Sequence, residues 1–322
     1  MRWPFERGVH SESNQPGEEK GERMATKEKA TWRDPALGAA RELELPQGRL
    51  RYFEAGTGPP IVFLHGLLVN ANLWRKVVAT LSREFRCVAL DLPLGSHTLP
   101  MPHAADLTPH GLADLIADAI EALGLEEVTL VGNDTGGALC QIVVTQRPER
   151  IGRLVLTSCD YRDNFPPPMF RYFKLAAAVP GVMRLLMLPM RLRAPRRLPF
   201  AFGWLTKQPI QRRAEDSYLL PAMTIAGVER DLKRVIKGIH TRYTNEAADR
   251  LGEFDRPALI AWSLDDRFFK PTHAQQLARD LPNARLEWIE NARSLSPEDE
   301  PARLAKLIAG FVRGNWAQPN CH

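Results

Sequence analysis

The sequence predicts an α/β protein with a mostly parallel central sheet, helices on both faces, and one inserted, mainly helical cap over residues 161–250. Three observations predict it. From Arg41 onward, short and almost continuously apolar runs alternate with amphipathic helical patterns, the mark of βαβ units. One of these runs, Val128 to Val131, ends in the small-residue turn Gly132-Asn133-Asp134-Thr135-Gly136 and opens at once into an apolar helix beginning Gly137-Ala138-Leu139. Between Tyr161 and Arg250 the rhythm stops: Pro166 to Pro168 break the chain, and 17 basic residues face only 7 acidic ones, a surplus larger than the +5 of the whole chain.

Taken in order, residues 1–36 are rich in Glu, Lys, Ser and Gly and read as a disordered tail, with Met24 a candidate for the true start. The core is expected over 37–160 and 251–316. Leu43 to Leu45 and Leu50 to Phe53, around Pro46-Gln47-Gly48, predict an opening hairpin. Ile61 to Leu64, Cys87 to Leu90, Val128 to Val131, Leu154 to Thr157 and Ala258 to Trp262 read as strands covered on both faces. Thr108-Pro109 starts a helix whose Leu112, Leu115, Ile116, Ala119 and Leu123 share one face, with Gly124 as its stop. Leu304, Leu307, Ile308, Phe311 and Val312 repeat that pattern up to Gly314.

Composition excludes several classes. At 322 residues and 44% apolar content the chain can bury a large core. Cys87, Cys140, Cys159 and Cys321 show no C-x-x-C spacing and read as buried or incidental thiols of a reducing compartment. Without a signal-peptide pattern or an apolar run approaching the ~20 residues that span a bilayer, the expected location is the cytoplasm. No cofactor, metal or nucleic-acid partner is expected. The basic stretch from Met183-Arg184-Leu185-Leu186-Met187 through Arg191, Arg193, Arg196 and Arg197 reads most simply as a solvated face over an apolar pocket; contact with a membrane surface, an acidic partner or an anionic substrate is the functional alternative.

The chemistry centres on Asp134. A sharp strand-to-helix turn needs small flanking residues because its apex is strained and its neighbours pack closely. The apex lies at a helix start, where the dipole and free N–H groups favour a negative charge, so the carboxylate is expected to stay ionised and nucleophilic. An ordinary helix-capping aspartate is the competing reading.

The strand Ile61-Val62-Phe63-Leu64 ends in His65-Gly66-Leu67-Leu68 about 70 residues before this turn. The late run Leu259-Ile260-Ala261-Trp262-Ser263-Leu264 leads to Asp265-Asp266. With these motifs the chain resembles the α/β-hydrolase superfamily from about Arg41 to Arg313. The resemblance implies that the backbone N–H groups of Leu67 and Thr135 form an oxyanion site, that His65 is structural rather than a base, and that Asp266 is the supporting acid. Asp265 and Asp160 are the alternative acids. An aspartate nucleophile points to the haloalkane dehalogenase and epoxide hydrolase branch, in which an alkyl-enzyme ester is hydrolysed by water activated by a histidine.

The chain departs from that pattern. Seven residues before Pro301, where the resemblance places the histidine, stands Ser294. Serine cannot take a proton from water near neutral pH, which removes general-base help worth roughly 10²- to 10⁴-fold. His240 and His273 are the substitutes the sequence offers, each more simply read as a surface or packing residue. Dehalogenases hold the halide with a Trp after the nucleophile and often an Asn after His-Gly, where this chain has Thr135 and Leu67. Epoxide hydrolases use cap tyrosines as proton donors; here Tyr161, Tyr172, Tyr218 and Tyr243 are available. The leading expectation is a cofactor-independent hydrolase of a small or medium hydrophobic carbon electrophile. The alternatives are a non-catalytic ligand-binding protein, motivated by Ser294, and a lyase or isomerase with Asp134 as general base.

Overall fold

A computed structural model of the chain describes residues 32–199 and 201–314. Its sheet has eight strands: β1 (Ala39–Leu45), β2 (Gly48–Ala55), β3 (Pro60–Leu64), β4 (Arg86–Leu90), β5 (Val128–Asp134), β6 (Ile151–Cys159), β7 (Ala258–Ser263) and β8 (Ala284–Ile289). They lie in the order β1-β2-β4-β3-β5-β6-β7-β8. β1 and β2 form the expected hairpin, with Leu43 opposite Leu50, and β2 meets β4 antiparallel; every later pairing is parallel. Each apolar run named from the sequence falls inside one of these strands, and β8 is an addition to them.

Helices cover both faces. The helices that concern the core are α1 (Arg75–Leu81), α2 (Pro109–Ala122) and α3 (Thr135–Gln146). In the inserted segment lie α4 (Tyr172–Ala178), α5 (Val182–Met187), α6 (Arg212–Thr224), α7 (Ala226–Gly238) and α8 (Thr241–Arg250), followed in the core by α9 (Pro271–Asp280) and α10 (Pro301–Val312). The caps follow the sequence signals: the Thr108 side chain accepts from Gly111 N, and Gly124 and Gly314 take positive φ beyond the ends of α2 and α10. Alternation along β3 sorts the core into two layers. Val62 and Leu64 pack with Leu112 and Ile116 of α2, whereas Ile61 and Phe63 pack with Trp74, Leu304 and Ile308.

No strand occurs between β6 and β7 among the described residues, only helices and turns. The tail expected over 1–36, the alternative start at Met24, and Cys321 fall outside the described residues except for the tail's last few positions. Those positions move the ordered chain earlier than expected. Arg33 is buried and pairs with buried Asp91 at 2.6 Å, and the 3₁₀ turn Pro35–Leu37 buries Leu37 completely. Cys87, Cys140 and Cys159 are buried free thiols.

Candidate active site

The turn after β5 is built by sterics. A Cβ on Gly132 would come within 2.5 Å of Gly136 O, and one on Gly136 would lie 2.5 Å from Leu64 O, so only glycine lets the helix start close against β3. Asp134, between them, sits at φ 56 and ψ −132. A capping aspartate takes extended backbone and accepts from the second or third helical N–H. Asp134 instead holds a strained conformation costing ~1–3 kcal/mol and accepts from the first, Thr135 N, at 2.5 Å. Helix capping alone gives no reason for that strain.

Both expected oxyanion donors converge here. Thr135 N–H donates to Asp134 Oδ1, and the backbone of Leu67 acts on the same carboxylate to lower its pKa. The approach is close enough that a Cβ on Gly66 would lie 2.4 Å from Asp134 Oδ1. Asp134 Oδ1 is thus held by the Thr135 backbone donor. Burial raises the Asp134 pKa above the ordinary carboxylate range, and the backbone groups of Thr135 and Leu67 oppose that shift without cancelling it.

Asp134 opens into a cavity of about 130 Å³, lined mainly by apolar side chains of the inserted segment and of the loop after β7, among them Phe170, Phe173, Met187, Leu219 and Phe268. Its polar lining comes from Asp134, Thr135, Asp160 and Tyr172, and no Lys, Arg or His belongs to it among the described residues. Asp160 follows directly on β6 and is buried. Thr135 Oγ1 donates to its Oδ2 at 3.3 Å, while Oδ1 has no partner. Burial, with the charge of Asp134 adding to it, pushes the Asp160 pKa well above the usual range.

Asp266 and Ser294 meet on the other side of the turn. Ser294, fully buried after β8, donates from Oγ to Asp266 Oδ1 at 2.8 Å. The same oxygen accepts from Phe268 N and Phe269 N at 2.8 and 2.9 Å, and Oδ2 is left without a partner. Burial lifts the Asp266 pKa to about 6 against these donors. Asp265, the alternative acid, is exposed and paired with Lys207.

One residue was not singled out from the sequence. Asn133 Nδ2 donates to Thr157 Oγ1 at 2.9 Å and to Ser294 O at 2.8 Å, bracing β5, β6 and the Ser294 turn together. Only its place beside the apex hinted at this. Asp134, Asp160, Asp266, Ser294 and the His65-Gly66-Leu67 loop therefore gather beyond the carboxyl ends of neighbouring parallel strands, the usual ligand position in such sheets.

The histidine candidates lie elsewhere. His65 is buried with both ring nitrogens used, Nε2 accepting from Leu92 N and Nδ1 donating to Gly66 O, each at 2.9 Å; burial lowers its pKa to about 4, so it is neutral and structural. His240 is exposed and caps α8 by accepting from Arg242 N. His273, half-buried on α9, has its ring near Tyr161 and is not part of the cavity lining. Of the four tyrosines, Tyr161 donates to Asp280, Tyr218 donates to Glu298 at 2.9 Å, and Tyr243 accepts from Arg242; Tyr172 alone lines the cavity.

Known proteins share this framework. A sequence model described as alpha/beta hydrolase fold matches residues 59–301. Haloalkane dehalogenase 2 of Mycobacterium tuberculosis is 26% identical over 280 residues, covering 84% of this chain and 93% of that protein. Carboxylesterase YbfK of Bacillus subtilis is 26% identical over 264 residues, covering 80% and 81% respectively. Among solved structures, haloalkane dehalogenase DbeA from Bradyrhizobium elkani superposes with a TM-score of 0.70 at 19% identity, covering 86% of this chain and 98% of that one.

Proposed function

The chain belongs to the alpha/beta hydrolase fold family, and from that membership we propose that it hydrolyses a small or medium hydrophobic carbon electrophile, of the epoxide class, with Asp134 as nucleophile. The observation that carries this is a strained apex carboxylate held by Thr135 N–H beside the Leu67 backbone at the floor of an apolar cavity. Holding one oxygen in place aims the other at substrate, and the same N–H groups then stabilise the oxyanion when the ester is attacked. The inserted segment serves as the cap over the site. An epoxide suits this lining better than a haloalkane. A departing halide needs donors beside the nucleophile, whereas an opening epoxide needs one proton, and Asp160 and Tyr172 stand ready to give it.

Asp160 also suits the step left without an imidazole. In the first half, the Asp134 oxygen bonds to the epoxide carbon, the carbon–oxygen bond breaks, and neutral Asp160 protonates the released oxygen. In the second half, water attacks the ester carbonyl and ionised Asp160 takes its proton. The tetrahedral intermediate collapses, the hydroxyl proton of the regenerated Asp134 carboxyl passes to the leaving alkoxide, and diol is released. Epoxide plus water has become diol, and both aspartates are back in their starting forms.

Incubation with epoxide and haloalkane panels followed by intact-mass analysis tests this. An adduct of substrate mass, absent in Asp134→Asn, is expected; no turnover and no Asp134-dependent adduct across the panels would refute it. A second reading, a ligand-binding protein without turnover, is favoured by Ser294 at the Asp266 hydrogen bond. It predicts thermal stabilisation by ligand that is unchanged in Asp134→Asn.

A further inference from the structure

The inserted segment carries a surface that the cavity chemistry does not use. Of the large apolar side chains exposed among the described residues, all but Leu264 lie between Met169 and Leu198. Leu175, Leu185 and Leu192 are exposed by 70%, 68% and 68%. Monomeric proteins rarely leave so many large apolar side chains together in water unless they meet a partner or a membrane. The same thirty positions hold seven Arg and Lys and no Asp or Glu.

Helix α5 and the 3₁₀ turn after it, Leu188–Arg191, show how this arises. Met183, Met187 and Met190 recur on the inward side, where Met187 and Met190 line the cavity. Leu185 on the helix, Leu188 in the turn and Leu192 just after it are exposed, alongside exposed Arg184, Arg191 and Arg193. The element is apolar on two faces and basic along their margin, the composition of a helix lying in a membrane interface rather than on a solvated surface. Arg184, Arg191 and Arg197 form no ion pair among the described residues, so their charge is uncompensated within the fold. Tyr172 is both exposed and part of the cavity lining, which places the cavity mouth at this surface.

We propose that the outward face of residues 169–198 docks on an anionic lipid surface, seating the cavity mouth against the bilayer so that a hydrophobic substrate enters from the lipid phase. Charge selects this occupant over a second copy of the chain. A self-complementary contact would set a purely cationic face against itself, whereas anionic headgroups neutralise the arginines while the leucines enter the acyl boundary. The reading is independent of the chemistry at Asp134 and is tested without turnover.

The test is flotation of the full chain with phosphatidylcholine vesicles, either pure or with about a third phosphatidylglycerol, at low and high salt. The wild type is expected to float with the anionic vesicles, at least about tenfold more than with the neutral ones, and to be released by salt. Two double variants at exposed positions, Leu185→Asp with Leu192→Asp and Arg184→Glu with Arg191→Glu, are each expected to lower partition about tenfold or more at unchanged Tm. A wild type that stays in the soluble fraction overturns the proposal, as does binding undiminished in either folded double variant. A concentration-dependent dimer that Leu185→Asp with Leu192→Asp dissolves, with no vesicle binding, overturns it in favour of self-association.

Discussion

Gly66→Ala is the smallest change that tests how the proposed nucleophile, Asp134, is held. The added methyl carbon would lie 2.4 Å from Asp134 Oδ1 and 2.7 Å from its Cγ, against about 3.4 Å for ordinary contact, so something must yield by ~1 Å. Gly66 has no positive φ, so alanine fits the backbone and the whole effect is steric. The yielding parts are the carboxylate and the Gly66–Leu67 backbone beside it. A displacement of that size at a reacting group costs on the order of 10²-fold in rate. The overpacking costs ~1–3 kcal/mol in stability. Loosening the Leu67 hydrogen bond also moves the Asp134 pKa further up, since that bond lowers it. The assay is the rate of Asp134 adduct formation by intact mass against pH, with Gly310→Ala as a control, because a Cβ there meets nothing within 4 Å. The expected result is a rate about a hundredfold lower, with its acidic midpoint displaced to higher pH, while the control keeps the wild-type rate. A Gly66→Ala protein within about threefold of wild type would refute the argument that Leu67 and Gly66 position the nucleophile.

Three further outcomes follow from buried polar groups. Arg75 and Glu298 form a bidentate pair at 2.5 and 2.9 Å, both almost fully buried, and Tyr218 of α6 donates to the same carboxylate; Glu298→Ala strips a buried guanidinium of its bidentate partner, leaving only Asp34 at 3.9 Å as counter-charge, and is expected to cost ~3–5 kcal/mol, with a Tm lower by roughly 6–20 °C in calorimetry. Asp266 titrates at about 6 in the fold against 3.8 in the unfolded chain, so the native state binds the extra proton between those values and stability falls as pH rises from about 4 to about 6, by on the order of 3 kcal/mol. Urea unfolding should show that slope flattened in Asp266→Asn, and identical slopes in the two proteins would contradict it. Ser294→His places an imidazole against Asp266; if the folded variant forms the adduct at all, its breakdown should quicken about 10²-fold or more in single-turnover mass measurements.

The legible parts of the chain were those with a local reason to be so. Strands β3 to β7 are covered on both faces, and their continuous apolar runs say so; α2 and α10 carry their own caps and stops. β8 alternates charged and apolar residues, Ala284-Arg285-Leu286-Glu287-Trp288-Ile289, and pairs on one side only, so its half-buried pattern carries no strong strand signal. Within the site, the glycine frame marked Asp134 because sterics at the turn are local. The company Asp134 keeps was less legible. That Tyr172 reaches the cavity while Tyr161, Tyr218 and Tyr243 are engaged elsewhere depends on how the inserted helices pack, and periodicity does not encode that. The same holds for Asn133, whose four-way bracing spans β5, β6 and the Ser294 turn.

Burial changes the reading of the carboxylates most. Helix-start logic alone predicts an ionised Asp134, but Asp134, Asp160 and Asp266 are enclosed near one another with no Lys or Arg in the cavity lining to balance them. Each ionisation makes the next one harder, and Asp160, with the weaker hydrogen bonding of the pair it forms with Asp134, is the one pushed well above the ordinary carboxylate range. On the proposed mechanism such a site supplies both a carboxylate and a carboxylic acid without an imidazole. In that mechanism two aspartates of unlike environment divide the roles between them, Asp134, which accepts from Thr135 N, acting as the carboxylate and Asp160, left with a bare oxygen, as the acid. On the proposed mechanism Asp160 supplies acid–base capacity without the histidine that the resemblance implies at position 294, and its loss should silence the second half of the cycle.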